Sequence, residues 1–233
     1  MSEQHILLAR QPIFDENIKI AAYELLFRSD NTNQANIFDG DSATSQVMLN
    51  AFNEMDIGDV VQGHPAYINF TRNLILNPPP FDKNRFVIEV LEDIEVDEEL
   101  NRNLRSLKDA GYTIALDDFV YDNKWDAALH IEDIVKIDVL AFDEAEIKRH
   151  VELLKPFKVV LLAEKVETHE MFHYCKSLGF KLFQGYFLSK PEQVKGRKVP
   201  ASKLVVLNLL AQLQNPDVEL SSISSIIAKD PVL

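Results

Sequence analysis

Eight side chains able to hold a hard cation or move a proton are spread along the 233-residue chain: Glu24, Asn69, Glu89, the adjacent Asp117 and Asp118, Lys136, Glu164 and Gln184. Carboxylate and amide oxygens are the ligands that Mg²⁺ and Mn²⁺ prefer, and the set contains neither cysteine nor histidine. Several carboxylates around one point repel one another unless a cation neutralises them. Asp117 and Asp118, neighbours in sequence, can serve two ions with one aspartate bridging. A pair of ions so held suits hydrolysis of a phosphodiester, activating water and stabilising the charge of the in-line transition state. Lys136 would orient that water or meet the developing phosphate charge.

These residues act together only if the fold gathers them. Short β-rich segments recur at 20–27, 66–70, 86–91, 113–117, 134–138, 158–164 and 181–187, several continuously apolar at their centres, as strands buried on both faces should be. Helical spacing fills 42–55, 98–110 and 168–178, the last two stopping at Gly111 and Gly179, natural left-handed caps. Alternation at this period predicts a parallel sheet with crossovers, and seven or eight units predict an α/β, TIM-like (β/α)8 barrel. A doubly wound open sheet is the competing arrangement, but no Gly-rich first turn supports it. Each of the eight residues falls within or at the C-terminal end of a predicted strand. In a barrel those ends converge on one face.

The formal net charge is −13, from 37 acidic against 24 basic residues, which argues against a DNA-coating protein or a basic membrane-surface binder. Anionic ligands would need a metal or a local cluster of cations. Cys175, the single cysteine, falls in a helical stretch and reads as a buried spectator. The N-terminus shows no secretory pattern and no apolar run approaches bilayer length, so a cytoplasmic location is expected. His169-Glu170-Met171-Phe172-His173 matches the HExxH zinc pattern but falls on an outer helix, away from the carboxylate rim. Tyr121 and Trp125 either pack, fill a dimer contact or stack on a base. After Pro200, residues 201–213 and 221–228 form two apolar helices with no strand partner.

Eight short motifs now carry a resemblance. Gln11-Pro12-Ile13-Phe14 and Tyr23-Glu24-Leu25-Leu26-Phe27-Arg28 resemble the opening of the EAL family of cyclic di-GMP phosphodiesterases, whose signature triplet stands here as Glu24-Leu25-Leu26. Ile68-Asn69-Phe70, Glu89-Val90-Leu91-Glu92, Leu116-Asp117-Asp118-Phe119, Val135-Lys136-Ile137-Asp138, Ala163-Glu164-Lys165-Val166-Glu167-Thr168 and Gln184-Gly185-Tyr186 follow in the family's order. The tail ending Ile226-Ile227-Ala228-Lys229-Asp230-Pro231 is similar to the start of an HDOD domain. The resemblance implies an EAL-type barrel over 1–198 and the N-terminal part of a helical HDOD-like domain over 199–233.

It further implies Mg²⁺ or Mn²⁺, two per site, at Glu24, Asn69, Glu89, Asp117 and Asp118. Lys136, Glu164 and Asp118 would be catalytic, and Gln11, Leu26, Arg28 and Gln184 would bind substrate. Glu92 would brace the loop after Asp118. Its implied partners are cyclic di-GMP, a second copy of the barrel in a homodimer, and proteins that meet the HDOD module. The loop departs from the family's Asp-Asp-Phe-Gly-Thr-Gly: here Asp117-Asp118-Phe119 continues Val120-Tyr121-Asp122, and Lys165 replaces a glycine beside Glu164. Two functions follow, hydrolysis of cyclic di-GMP to linear pGpG, or a catalytically silent domain acting as a receptor or scaffold.

Overall fold

The structure, a computed structural model, describes residues 7–28, 57–78, 82–189 and 192–195. The helix expected over 42–55 and both helices expected after Pro200 lie outside the described residues. Nine strands are present among them: β1 (Leu7–Asp15), β2 (Ile20–Arg28), β3 (Ala66–Phe70), β4 (Phe86–Val90), β5 (Thr113–Leu116), β6 (Ile134–Asp138), β7 (Val160–Glu164), β8 (Leu182–Phe183) and β9 (Glu192–Lys195). Helices α1 (Ile57–Val60), α2 (Arg72–Leu76), α3 (Glu98–Asp109), α4 (Asp126–Leu129), α5 (Glu144–Leu154) and α6 (His169–Leu178) fall between them.

Strands β2 to β8 pair in parallel in chain order, and β1 pairs antiparallel with both β2 and β8. The result is a closed eight-stranded barrel with helices around it, an α/β fold of the expected class. The reversed direction of β1 departs from the expected run of parallel units. Proline inside a strand removes one ladder donor. Pro12 is tolerated because β9 flanks β1 only over Leu7–Arg10 and β8 only at Phe14–Asp15, leaving Pro12 between the two contacts.

The helices start and stop where local chemistry directs. Asp97 caps α3, its side chain accepting from the Leu100 N–H at 2.7 Å, with Glu98 and Glu99 in the first turn and Lys108 in the last. Leu100, Leu104 and Leu107 form its buried face. Asp143 and Glu146 form a reciprocal capping box on α5. Thr168 caps α6, which ends at Gly179 in the left-handed conformation, φ 103°. β7 begins later than expected because Lys158, at φ 59°, ends a short 3₁₀ turn and delays the extended run.

Two apolar layers divide the interior. The larger lies between barrel and helices and includes Ile88, Leu104, Leu116, Ile137, Phe172 and Cys175. The smaller fills the barrel itself with Ile13, Ala22, Tyr67, Val87, Ala115, Ile134 and Leu162, with Leu182 packed against it. Alternate residues of a strand share a face. Two positions onward from each member of that inner layer stand Glu24, Asn69, Glu89, Asp117, Lys136, Glu164 and Gln184; on the reversed β1 the equivalent is Gln11, two positions before Ile13. An apolar floor therefore supports a complete polar layer at the C-terminal end of the barrel.

Candidate active site

Register staggers the polar layer along the barrel: it steps by two residues where Glu24 lies opposite Tyr67, Glu89 opposite Ala115 and Lys136 opposite Leu162. Gln11 lies opposite Glu24, Asn69 opposite Glu89, and Asp138 opposite Glu164. Lys136 is the centre. Its Nζ lies 2.6 Å from Glu89 Oε1, 2.6 Å from Asp117 Oδ1, 3.0 Å from Glu164 Oε1 and 3.7 Å from Glu24 Oε2. Gln184 Nε2 donates to Glu24 Oε2 at 2.6 Å. Lys136 and Glu89 are fully buried, and Glu24, Glu164 and Gln184 nearly so.

The protonation pattern follows from this crowding. Burial pulls the Lys136 ammonium toward losing its proton, but Glu24, Glu89, Glu164 and Asp117 outweigh it and hold its pKa well above the ordinary range. Burial pushes the Glu89 carboxyl well up, against the pull of Lys136 and with the help of Glu24 and Asp117. Burial likewise lifts Glu164 to about 8, opposed by Lys136 and reinforced by Asp117 and Glu24. The cluster relieves its mutual repulsion partly by keeping protons on Glu89 and Glu164.

The contacts with Lys136 are close N···O approaches without hydrogen-bond alignment. Asn69 Oδ1, both Glu89 oxygens, Glu164 Oε2 and Gln184 Oε1 are buried with no hydrogen-bond partner, as is Lys136 Nζ. Buried oxygens left unpartnered are costly, and these are the oxygen types a hard divalent cation takes. The donor set therefore fits such an ion. Its present arrangement is centred on the ammonium, and among the described residues no three His, Cys, Asp or Glu side chains already stand as a metal cage.

The remaining expected site residues are placed as follows. Leu26 continues the inward face of β2 beyond Glu24 and is half-buried. Arg28 ends β2, and its side chain lies outside the described residues. Asp118 does not join the cluster around Lys136. It takes a left-handed backbone, φ 40°, and its Oδ1 lies 3.4 Å from Lys165 Nζ. Glu92 begins the loop after β4; partial burial raises its carboxyl pKa, with Asp118 and Asp117 adding to the effect. Sequence reasoning passed over Asp138, which meets Lys165 Nζ at 2.5 Å. Its signal was its place two residues after Lys136, on the same face of β6.

The loop after β5 follows a path open to ordinary residues. Asp118 alone in it has positive φ, whereas Asp122 is extended and caps a 3₁₀ turn over Asn123–Trp125. Phe119 and Trp125 are buried edge-on at 6.1 Å, and the half-buried Tyr121 donates to Asp126 Oδ1 at 2.9 Å. Trp125 is thus a packing residue. His169 and His173 lie exposed on α6 with their Nε2 atoms 3.2 Å apart. Cys175 is buried on the same helix, where burial pushes its thiol up to about 12. Among the described residues no helix is long and apolar enough to cross a membrane.

Comparison with known proteins agrees with this architecture. The chain is 34% identical over 232 residues to the Bacillus subtilis protein YuxH and 32% identical over 231 residues to the Vibrio cholerae cyclic di-GMP phosphodiesterase CdgJ. Each alignment takes in 97% of this chain but only 57% and 54% of those relatives, so the chain spans a little over half their length. Among solved structures, the Bacillus subtilis YkuI protein, with an EAL domain and in complex with substrate c-di-GMP and calcium, superposes with a TM-score of 0.63. At 19% identity, over 96% of this chain and 71% of that one, the likeness speaks to the fold. Residues 60–191 match the family model described as EAL domain, taking in β3 to β8 and six of the polar-layer residues, Asn69 to Gln184. With that match over more than half its length, the chain belongs to the EAL domain family.

Proposed function

We propose that this chain hydrolyses cyclic di-GMP to linear pGpG with the help of a divalent metal. One observation carries the reading: a polar layer, one residue from within or just after each barrel strand, lies at one end of the barrel, and four of its carboxylates gather around the buried Lys136. CdgJ is named for this activity, and YkuI binds this dinucleotide with calcium.

Glu24, Asn69, Glu89 and Asp117 would hold Mg²⁺ or Mn²⁺ through their oxygens. When bound, such an ion neutralises phosphate charge and acidifies the attacking water. Burial keeps a proton on Glu164 at neutral pH in the metal-free site, so that proton would first have to be displaced on cation binding before the Glu164 carboxylate could take one from the water. The water oxygen bonds to phosphorus, the bond to the ribose 3′ oxygen breaks, and that oxygen gains a proton. Lys136 keeps its charge throughout and stabilises the negative charge that builds on the phosphoryl group. Gln184, fixed on Glu24, holds that carboxylate in place. Gln11, Leu26 and Arg28 would line the substrate's path, with Arg28 on a phosphate and Glu92 bracing the loop after Asp118.

A second reading, a silent receptor or scaffold, draws support from Asp118, which pairs with Lys165 and leaves the main cluster. A two-ion site of the kind implied by the family resemblance needs Asp118. One assay separates the readings: purified protein, cyclic di-GMP and Mn²⁺, with linear product followed by chromatography. Turnover that is lost in Glu24→Ala and Asp117→Asn is the expected result. Unchanged turnover in those variants would overturn the assignment, and binding without product would favour the receptor. We place a cytoplasmic location, a homodimer through the barrel, and an HDOD-like segment at 199–233 that meets protein partners in the same proposal. The last rests on the Ile226–Pro231 sequence alone.

A further inference from the structure

Directly after Glu164, at the end of β7, Lys165 adopts a left-handed backbone with φ 56°. For a residue with a Cβ this costs about 1–2 kcal/mol, and glycine would take it freely. Strain kept at the lip of a site is a reason to ask what the side chain does there. Lys165 Nζ stands 2.5 Å from Asp138 Oδ2 and 3.4 Å from Asp118 Oδ1. The three residues come from the ends of β7, β6 and β5, successive strands of the barrel. Asp138 is itself held in place, its Oδ1 accepting from the Leu140 N–H at 2.8 Å.

The two lysines of the site divide the space. Lys136 is wholly buried below, whereas half of the Lys165 side chain is open to solvent, at 50% exposure. Lys165 therefore neutralises the outer carboxylates from the side on which a ligand arrives. A divalent ion placed on Asp118 would meet this ammonium at close range and be repelled.

We propose that Lys165 supplies the outer positive charge of the site, so that this chain takes one divalent ion on the barrel oxygens and uses a tethered ammonium between Asp118 and Asp138 in place of a second. The inference rests on the metal-dependent reading above. It also assigns the ammonium as the cation that an incoming phosphate meets first.

Counting bound Mn²⁺ at saturation by equilibrium dialysis tests it without reference to turnover. Lys165→Gly suits the local backbone and so keeps the fold, while Lys165→Met removes the charge and keeps most of the bulk. The wild-type chain should bind one ion, and both variants two, a doubling. Equal counts in wild type and variants, or two ions in the wild type, would overturn the inference alone. Two ions in Lys165→Gly but one in Lys165→Met would overturn it too, since bulk and not charge would then exclude the ion. A wild-type chain that binds none would fail the metal-dependent reading itself and take this inference with it.

Discussion

At the scale of single residues, Lys136 decides the behaviour of the site. It stands at the centre of four carboxylates, and removing one partner of a buried ion cluster typically costs about 3–5 kcal/mol. Lys136→Met should therefore lower the unfolding free energy of metal-free protein by about that amount, measured by urea denaturation. Protonation gives a second expectation. Glu164 titrates near 8 when folded against 4.5 ordinarily, so the folded chain binds more protons than the unfolded chain between those values. Its contribution to stability is fully present below pH 4.5 and is lost as pH rises through 8. Glu132 acts in the same direction from outside the site: burial, then the charge of Asp133, raises its carboxyl well above the usual range against the pull of Lys108, and neither oxygen has a hydrogen-bond partner. Stability of metal-free protein should fall from pH 5 to pH 8 in a urea series, and Glu132→Gln should flatten that slope. An unchanged slope in Glu132→Gln would show that Glu132 ionises normally.

At the scale of elements, the loops that follow β7 and β8 cross at one point. Val166 N–H donates to the Gln184 carbonyl at 2.9 Å, and a Cβ on Gly185, at φ +156°, would lie 2.2 Å from Val166 O. Nothing larger than glycine fits there. Gly185→Ala should destabilise the chain by about 3 kcal/mol or more and weaken Mn²⁺ binding by displacing Gln184 from Glu24. Gly63→Ala, in open space at φ +78°, should cost only the ~1 kcal/mol of an unfavourable backbone. Unfolding midpoints of the two variants check the contrast. The parallel strands were legible because each is a short apolar run bounded by breakers, and β3 and β6 match their expected limits. β1 was not legible: Pro12 interrupts its pattern, and its reversed direction depends on partners distant in sequence. β8 shortened to two residues because the chain turns at once into the Gly185 crossing.

At the scale of the whole molecule, a period of two imposed on every barrel strand makes the polar layer readable before any coordinates. What it does not reveal is which oxygen meets which ammonium, since Lys136 at the centre and Lys165 on Asp138 depend on how side chains from different strands converge. The acidic balance of −13 takes its meaning here too, with part of it concentrated on one rim. Metal uptake should displace protons from Glu164 and Glu89, so Mn²⁺ affinity should rise from pH 7 to pH 9, by up to about tenfold per unit for each proton released. Titration calorimetry in buffers of different ionisation enthalpy measures that release. An affinity independent of pH would mean the carboxylates are already ionised. The reversed β1 has a mechanical consequence as well. Because it runs against its neighbours, Leu7 stands opposite Arg28 on one side and Lys195 on the other, so the chain enters β1 and leaves β9 at the lip of the barrel. Tension between those two points would open the β1–β9 ladder like a zipper, one pair at a time from Leu7 and Lys195 toward Arg10 and Glu192, and would come to bear next on Gln11 opposite Glu24.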